Sequence, residues 1–221
     1  MSTNKIKKTA FTLAEVLVTL MIIGVIAAMT VPTLKRSADM EEYVAGCKKA
    51  YSTISNATKM VEMDHGDVKR WGNIDGGDEA IQKMYDYYSE HLNIIKSCPP
   101  NTPGCWTQSI SLNGDKSGNE YGIGTNTISF TTADGMHWCF DGIGTSGVGV
   151  EKAPSGSLGM WVDINGDKKP NQVGSDVFVF VLDPNRGVVP GGTDNKSANC
   201  NTSKNGWDCT ARVLREGKIS Y

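Results

Sequence analysis

The spacing of apolar and polar residues changes twice along this chain, and each change predicts a different kind of element. Phe11–Val31, FTLAEVLVTLMIIGVIAAMTV, is apolar almost without a break. As a helix of about 21 residues it would be roughly 31 Å long, enough to cross the hydrocarbon of a bilayer. One residue interrupts it. Glu15 stands four positions after Phe11, where a carboxylate is costly and ordinarily has a partner. Past Pro32 a helical period resumes. Met40, Val44, Cys47, Tyr51, Ile54, Thr58 and Val61 recur at steps of four and three, with Glu41, Glu42, Lys48, Lys49 and Lys59 elsewhere. That is one face of a helix. The pattern predicts a single helix of about 50 residues from Phe11 to about Met63, ended by Asp64-His65-Gly66-Asp67. Its first half would lie in lipid and its second half on a globular head. Pro32 lacks an amide donor and crowds the carbonyl of Ala28, so the helix should loosen or kink there. The amphipathic stretch lasts only about three heptads and includes Cys and Thr, which favours packing on a sheet over an independent coiled coil.

A second amphipathic helix is predicted from Asp78, its cap, with Ile81, Met84, Tyr85, Tyr88, Leu92 and Ile95 on one face and Cys98-Pro99-Pro100 as its stop. From about Ser109 the period becomes two. Thr127–Thr132 and Met136–Phe140 flank Ala133-Asp134-Gly135 as a hairpin, and Gly159–Ile164 and Asp176–Leu182 give two more strands. The run VFVFVL is apolar on both faces and reads as a central strand. Cys209–Glu216 reads as a short helix and residues 218–221 as a strand or tail. The fold class expected is α+β, a long helix packed on an antiparallel sheet of about four strands.

Charge sets the orientation. The chain carries 22 Lys and Arg against 24 Asp and Glu, a net of −2. Lys5, Lys7 and Lys8 precede the apolar run, and the rest of the chain holds 19 basic and 24 acidic side chains, or −5. Lysines ahead of an apolar span keep the N-terminus cytoplasmic, so the head is exported. An acidic head gives no reason to expect nucleic acid as the main partner. Six cysteines suit an oxidising compartment. Cys98 with Cys105, and Cys200 with Cys209, would each close a short loop and are the favoured pairs, leaving Cys47 with Cys139 or both as thiols. An ordinary signal peptide fits poorly. The apolar run is too long, Ile26-Ala27-Ala28 is the nearest approach to a cleavage site, and such a segment has no use for Glu15.

The segment KKTA-FTLAEVLVTLMIIGVIAAMTVPTL resembles the N-terminus of a type IV prepilin or type II secretion pseudopilin, with Phe11, Glu15, Gly24 and Pro32 in register. The resemblance covers roughly residues 5–34. It implies a basic leader, residues 1–10, removed between Ala10 and Phe11, then a transmembrane and assembly helix, residues 11–32, and an exported head, residues 33–221. The residue before the cut is usually Gly; here it is Ala10, which is small enough for the same peptidase pocket. The new α-amine of Phe11 would be methylated with its charge kept. Paired with Glu15 of a neighbouring copy, it would set the axial register of a filament. The resemblance further implies a pilin-like fold and a non-enzymatic subunit of a pilus or secretion pseudopilus. Its partners would be copies of itself and other pilins, the prepilin peptidase and methyltransferase, and an inner-membrane platform with its cytoplasmic ATPase. It would reside in the inner membrane as a single-pass protein and then in a periplasmic or surface filament. The competing readings are a minor pilin of a DNA-uptake filament, a membrane-anchored exported binding protein, and a secreted disulfide-rich adhesin or hydrolase.

The head offers one candidate site. Asp163, Asn165 and Asp167 place oxygen donors at alternate positions, with Asn171 and Asp176 close behind, a donor set that suits calcium. The spacing is not that of an EF-hand, since Lys168 and Gly174 stand where Gly and Glu are required. Major pseudopilins resemble this in having a calcium-holding loop near their C-terminal strands, without a residue-by-residue match. A metal-free Asx turn between two strands would use the same residues. The G-x-G-x-x-G at 142–147 is followed by VGVEKAP, which forms no helix to face a phosphate. His65, His91 and His137 are far apart in sequence and share no ligand spacing with a cysteine, so no zinc site is expected. Core and loop packing accounts for Tyr85, Tyr87, Tyr88 and the five tryptophans.

Overall fold

The computed structural model describes residues 11–72, 77–116, 126–142, 148–154 and 157–221. The helix expected over the N-terminal quarter is present as α1, Leu13–His65, and it runs through Pro32 without interruption. Around the proline, hydroxyls back up the carbonyls of the apolar stretch. Thr30 Oγ1 donates to Ile26 O (3.0 Å), and Thr33 Oγ1 to Met29 O and Thr30 O (3.2 and 2.9 Å). Thr and Ser use such bonds to satisfy helix carbonyls where water is absent. The chain divides into a unit ending at Asp39 and a unit beginning at Met40. In the first, every described residue through Ala38 is exposed.

In the second unit α1 buries Tyr43, Val44, Cys47, Ala50, Ile54, Ala57, Thr58 and Val61, the three-and-four spacing of a single helix face. After a 3₁₀ turn at Val68–Arg70 comes α2, Asp78–Ser89, burying Ile81, Met84 and Tyr88. Two expectations are corrected here. The N-cap is Gly77 rather than Asp78, whose carboxylate instead accepts the backbone amide of Asn126 at 2.6 Å. Also, the helix does not reach Ile95. Ile94–Cys98 forms strand β1, paired with the next strand, and Ile95 is exposed. Backbone pairing and β-branched side chains override the helical spacing of Ile95.

The sheet has six strands rather than about four. After β1 come β2, Thr127–Thr132; β3, His137–Asp141; β4, Leu158–Asp163; β5, Val177–Asp183; and β6, Gly187–Pro190. Each pairs antiparallel with its sequence neighbour, in the spatial order β1-β2-β3-β4-β5-β6. The hairpin turn at Ala133-Asp134-Gly135 is as expected; Gly135 takes φ 84°, and Thr132 Oγ1 donates to Asp134 at 2.6 Å. Four residues long and ending in Pro190, β6 lies below what alternation can signal. The C-terminal helix α3 spans Thr210–Glu216 and stops at Gly217 with φ 66°. The last residues are a tail rather than a strand.

Side chains of the sheet alternate between two cores. In β5, Phe178, Phe180 and Leu182 join α1 and α2 in one cluster with Phe130, Trp138, Phe140 and Met160. Val177, Val179 and Val181 enter a second cluster with Trp106, Cys139, Val148, Val150 and Trp161 on the opposite face. The strand read as central from VFVFVL is an interior one, next to the edge strand β6, with all seven residues of β5 buried. Rings tie the helices to the sheet: Tyr51 stacks on Phe180 (5.7 Å), and Tyr88 meets Phe140 edge-on (5.2 Å). Tyr88 Oη and Thr58 Oγ1 are hydrogen-bonded at 2.7 Å.

Disulfides join Cys98 to Cys105 and Cys200 to Cys209, the favoured pairs. Cys47 and Cys139 are both buried thiols and belong to different core clusters, so they do not pair. The second bridge anchors a segment that completes the sheet. Thr210 Oγ1 accepts the amide of Val179 at 3.0 Å, just beyond the end of β6. Gly192, at φ 89°, approaches the backbone of Asp208 so closely that a Cβ would lie 1.9 Å from its carbonyl oxygen. One separation inferred from sequence does not survive folding. His65 and His91 come to the same end of the head, at the C-termini of α1 and α2.

Candidate functional site

Thr12 and Glu15 set the first turn of α1. Thr12 N and Thr12 Oγ1 both donate to Glu15 Oε2, at 2.8 and 2.7 Å, and Glu15 N donates back to Thr12 Oγ1 at 3.3 Å. This is a capping box, T-x-x-E, in which residue and cap satisfy each other's orphan groups. Sequence reasoning took Glu15 as an acid in need of a distant partner and passed over Thr12. The Thr-Leu-Ala-Glu spacing ahead of an apolar run was the available signal. Glu15 also lies where the helix macrodipole favours a negative charge. On either side of it, Phe11, Leu13, Leu17, Leu20, Met21, Ile23, Ile26, Met29, Val31 and Leu34 are all more than half exposed. That apolar surface is one to be covered by lipid or by other chains. A Cβ at Gly24 would meet nothing within 4 Å, so nothing within this chain accounts for a glycine in mid-helix, where it is costly.

A model for the prokaryotic N-terminal methylation motif matches residues 5–31. It spans the lysine-bearing part of the leader from Lys5, the Ala10-Phe11 junction, the capping box and the whole apolar run to Val31. The motif marks a type IV pilin and pseudopilin family member. Comparison with curated proteins and with solved structures gives no match. For a chain of this family, the motif implies processing by a prepilin peptidase and assembly with pilins, and the apolar helix suggests an inner-membrane-anchored, exported protein.

The head of this pilin-family chain holds the predicted oxygen cluster, in part. Asp163, at the end of β4, and Asp176, just before β5, are completely buried. Asp176 accepts Asn171 N (2.9 Å), Gln172 N (2.6 Å) and Asn165 Nδ2 (3.1 Å). Asp163 accepts Asn165 N at 3.2 Å. Burial and then the neighbouring Asp176 push the Asp163 carboxyl up to about 8, and burial raises Asp176 as well. Asn165 Oδ1 is buried without a hydrogen-bond partner. These three residues fit a cation, because two mutually repelling carboxylates and an orphaned amide oxygen are what a hard ion would relieve. The other two predicted ligands are engaged elsewhere. Asp167 accepts Thr107 Oγ1 at 2.6 Å and lies 4.0 Å from His137 Nδ1. The Asn171 carboxamide turns its NH₂ to the carbonyls of Gly166 and Lys168. The G-x-G-x-x-G stretch falls almost wholly outside the described residues.

The Asp163–Asp176 pair makes stability depend on pH. A carboxyl near 8 in the fold and about 3.9 unfolded keeps its proton only in the native state across that window. Its contribution is full below about pH 4 and is lost as pH rises towards 8. In chelator, the midpoint of urea unfolding should fall between pH 5 and pH 8, and Asp163→Asn should flatten that fall. A wild-type slope that persists in Asp163→Asn assigns the dependence to another group.

Proposed function

We propose that this chain is a structural, non-enzymatic subunit of a type IV pilus or a type II secretion pseudopilus. The prepilin peptidase cuts between Ala10 and Phe11, and the Phe11 amine is methylated. The helix over residues 11–32 then leaves lipid and packs against copies of itself and other pilins, driven by the inner-membrane platform and its cytoplasmic ATPase. One observation carries the reading: a methylation motif with its first-turn glutamate, leading an apolar helix left uncovered. A cation at Phe11 and the Glu15 carboxylate of a neighbour would offset each other's poor solvation and fix one axial register. Gly24 would lie where two helices approach closely. Mass spectrometry of the protein from its host tests this directly. An N-terminal methylated Phe11 is expected; an intact Met1, or an N-terminus near Met29, overturns it.

In the head, Asp163, Asn165 and Asp176 would hold calcium, which would stabilise both carboxylates in their charged forms and lock the β4–β5 connection. Calcium should then abolish the loss of stability between pH 5 and pH 8 and raise the melting temperature of the wild type but not of Asp163→Asn. The absence of any shift in the wild type removes the metal from the proposal.

A further inference from the structure

The C-terminal ends of α1 and α2 converge on a cluster that the methylation motif and the β4–β5 connection do not involve. Asp64 and His65 close α1, and Glu90 and His91 follow α2. One ligand atom each from Asp64, Glu90 and His91 lies within 4.8 Å of the other two. His91 Nε2 is 2.9 Å from Asp64 Oδ2, and His65 Nε2 is 4.0 Å from Glu90 Oε2. Both imidazole nitrogens are buried and make no hydrogen bond of acceptable geometry. The His65 ring is fixed by stacking on Tyr87 with centroids 3.8 Å apart.

We propose that Asp64, Glu90 and His91, joined on binding by the neighbouring His65 as a fourth donor, form a binding site for a borderline divalent cation, Zn²⁺ in the first instance. Two imidazole nitrogens and two carboxylate oxygens are a zinc donor set, whereas calcium and magnesium prefer oxygen alone. Around a tetrahedral zinc, ligand atoms at 2.0–2.1 Å from the metal are separated by about 3.3 Å. The His91–Asp64 contact is already near that spacing and Glu90 lies within 4.8 Å of both, whereas His65, 4.0 Å from Glu90 Oε2, stands outside this group of three and has to move in to complete the tetrahedron. Two helix C-termini contribute a further negative potential, since the last carbonyls of each helix are oriented towards its end. An ion here would join α1 to α2 across the turn that separates them, where the buried nitrogens have no hydrogen bond. Sequence spacing could not reveal the site, because the two ligand pairs lie 25 residues apart and meet only through the packing of two helices.

The test uses the full chain purified in detergent and stripped with chelator. Titration calorimetry with ZnCl₂ should show one saturable site per chain, and zinc should raise the melting temperature while MgCl₂ does not. His91→Gln and Asp64→Asn should each weaken zinc by more than the roughly 10–100-fold that loss of an outer-shell partner costs. Asp163→Asn, which alters the other acidic cluster, should leave zinc affinity unchanged. Because Asp64 is half exposed, its replacement leaves the core intact, and the melting temperature of each zinc-free variant checks that it folds. No saturable zinc binding by the wild type, or unchanged affinity in the His65→Gln/His91→Gln double variant, overturns the proposal.

Discussion

Glu15→Ala should yield a chain that inserts into the membrane in normal amount and gives few or no filaments on shearing. Two losses coincide in this variant, and they can be separated. The first is the capping box with Thr12, which satisfies orphan amides at the start of the helix. The second is the charge that would face the Phe11 amine of a neighbour, where each group offsets the poor solvation of the other. That second term recurs at every subunit. Glu15→Gln keeps a capping-box residue and removes the charge, so it should assemble as poorly as Glu15→Ala. Thr12→Ala disturbs the cap and keeps the carboxylate, and it should assemble. Filaments from Glu15→Gln at wild-type yield would assign the residue to helix initiation and end its role in register.

Within the head, the largest effect is expected from the C-terminal bridge. Cys200→Ser/Cys209→Ser opens a loop with a sequence separation of 9, which loop-closure entropy alone values at about 3 kcal/mol. Packing adds to this. Both cysteines sit in a buried cluster with Leu112, against which Tyr221 packs, and the freed segment carries Asp208 and Thr210, which complete the edge beyond β6. For a chain of this size the melting temperature should drop by roughly 6–12 °C. Cys98→Ser/Cys105→Ser should cost less, because the loop it frees, Asn101–Gly104, is exposed at the end of β1. A larger drop for that pair than for Cys200→Ser/Cys209→Ser would reverse this ordering.

Most of the architecture could be read from periodicity because it rests on long, repeated patterns. The face of α1 and the double-sided alternation of β5 are of that kind. What escaped was short or depended on contacts distant in sequence. Ile95 continues a helical spacing, yet it falls within a strand that pairs with β2. The four residues of β6 owe their place to the exposed edge of β5. The methylation-motif segment was legible because its signals are local: a basic start, an unbroken apolar run and an acid in its first turn. The acidic cluster was legible in composition but not in geometry. Alternate spacing suggested that Asp163, Asn165 and Asp167 act together, but the backbone turns Asp167 away towards Thr107 and brings Asp176 back in its place. His65 and His91 carried no signal at all until two helix ends were brought side by side.

The meander has a consequence for how such a head is made. Each strand after β1 pairs with the one before it, so a head whose strands emerge from a membrane in chain order, behind an anchored N-terminal helix, would have each strand's partner already in place. Each hairpin closes as its second strand emerges, with the small loop entropy of a local contact. The C-terminal half of α1, which buries Tyr43 to Val61, precedes the strands in the chain and is ready to cover the growing sheet. The order leaves one late dependency. The rear face of β5 stays incompletely covered until Trp207 and the segment from Cys200 to Thr210 have passed through. Oxidation of the last two cysteines is then the event that completes the head, and a compartment that forms disulfides slowly would accumulate heads open along that one edge.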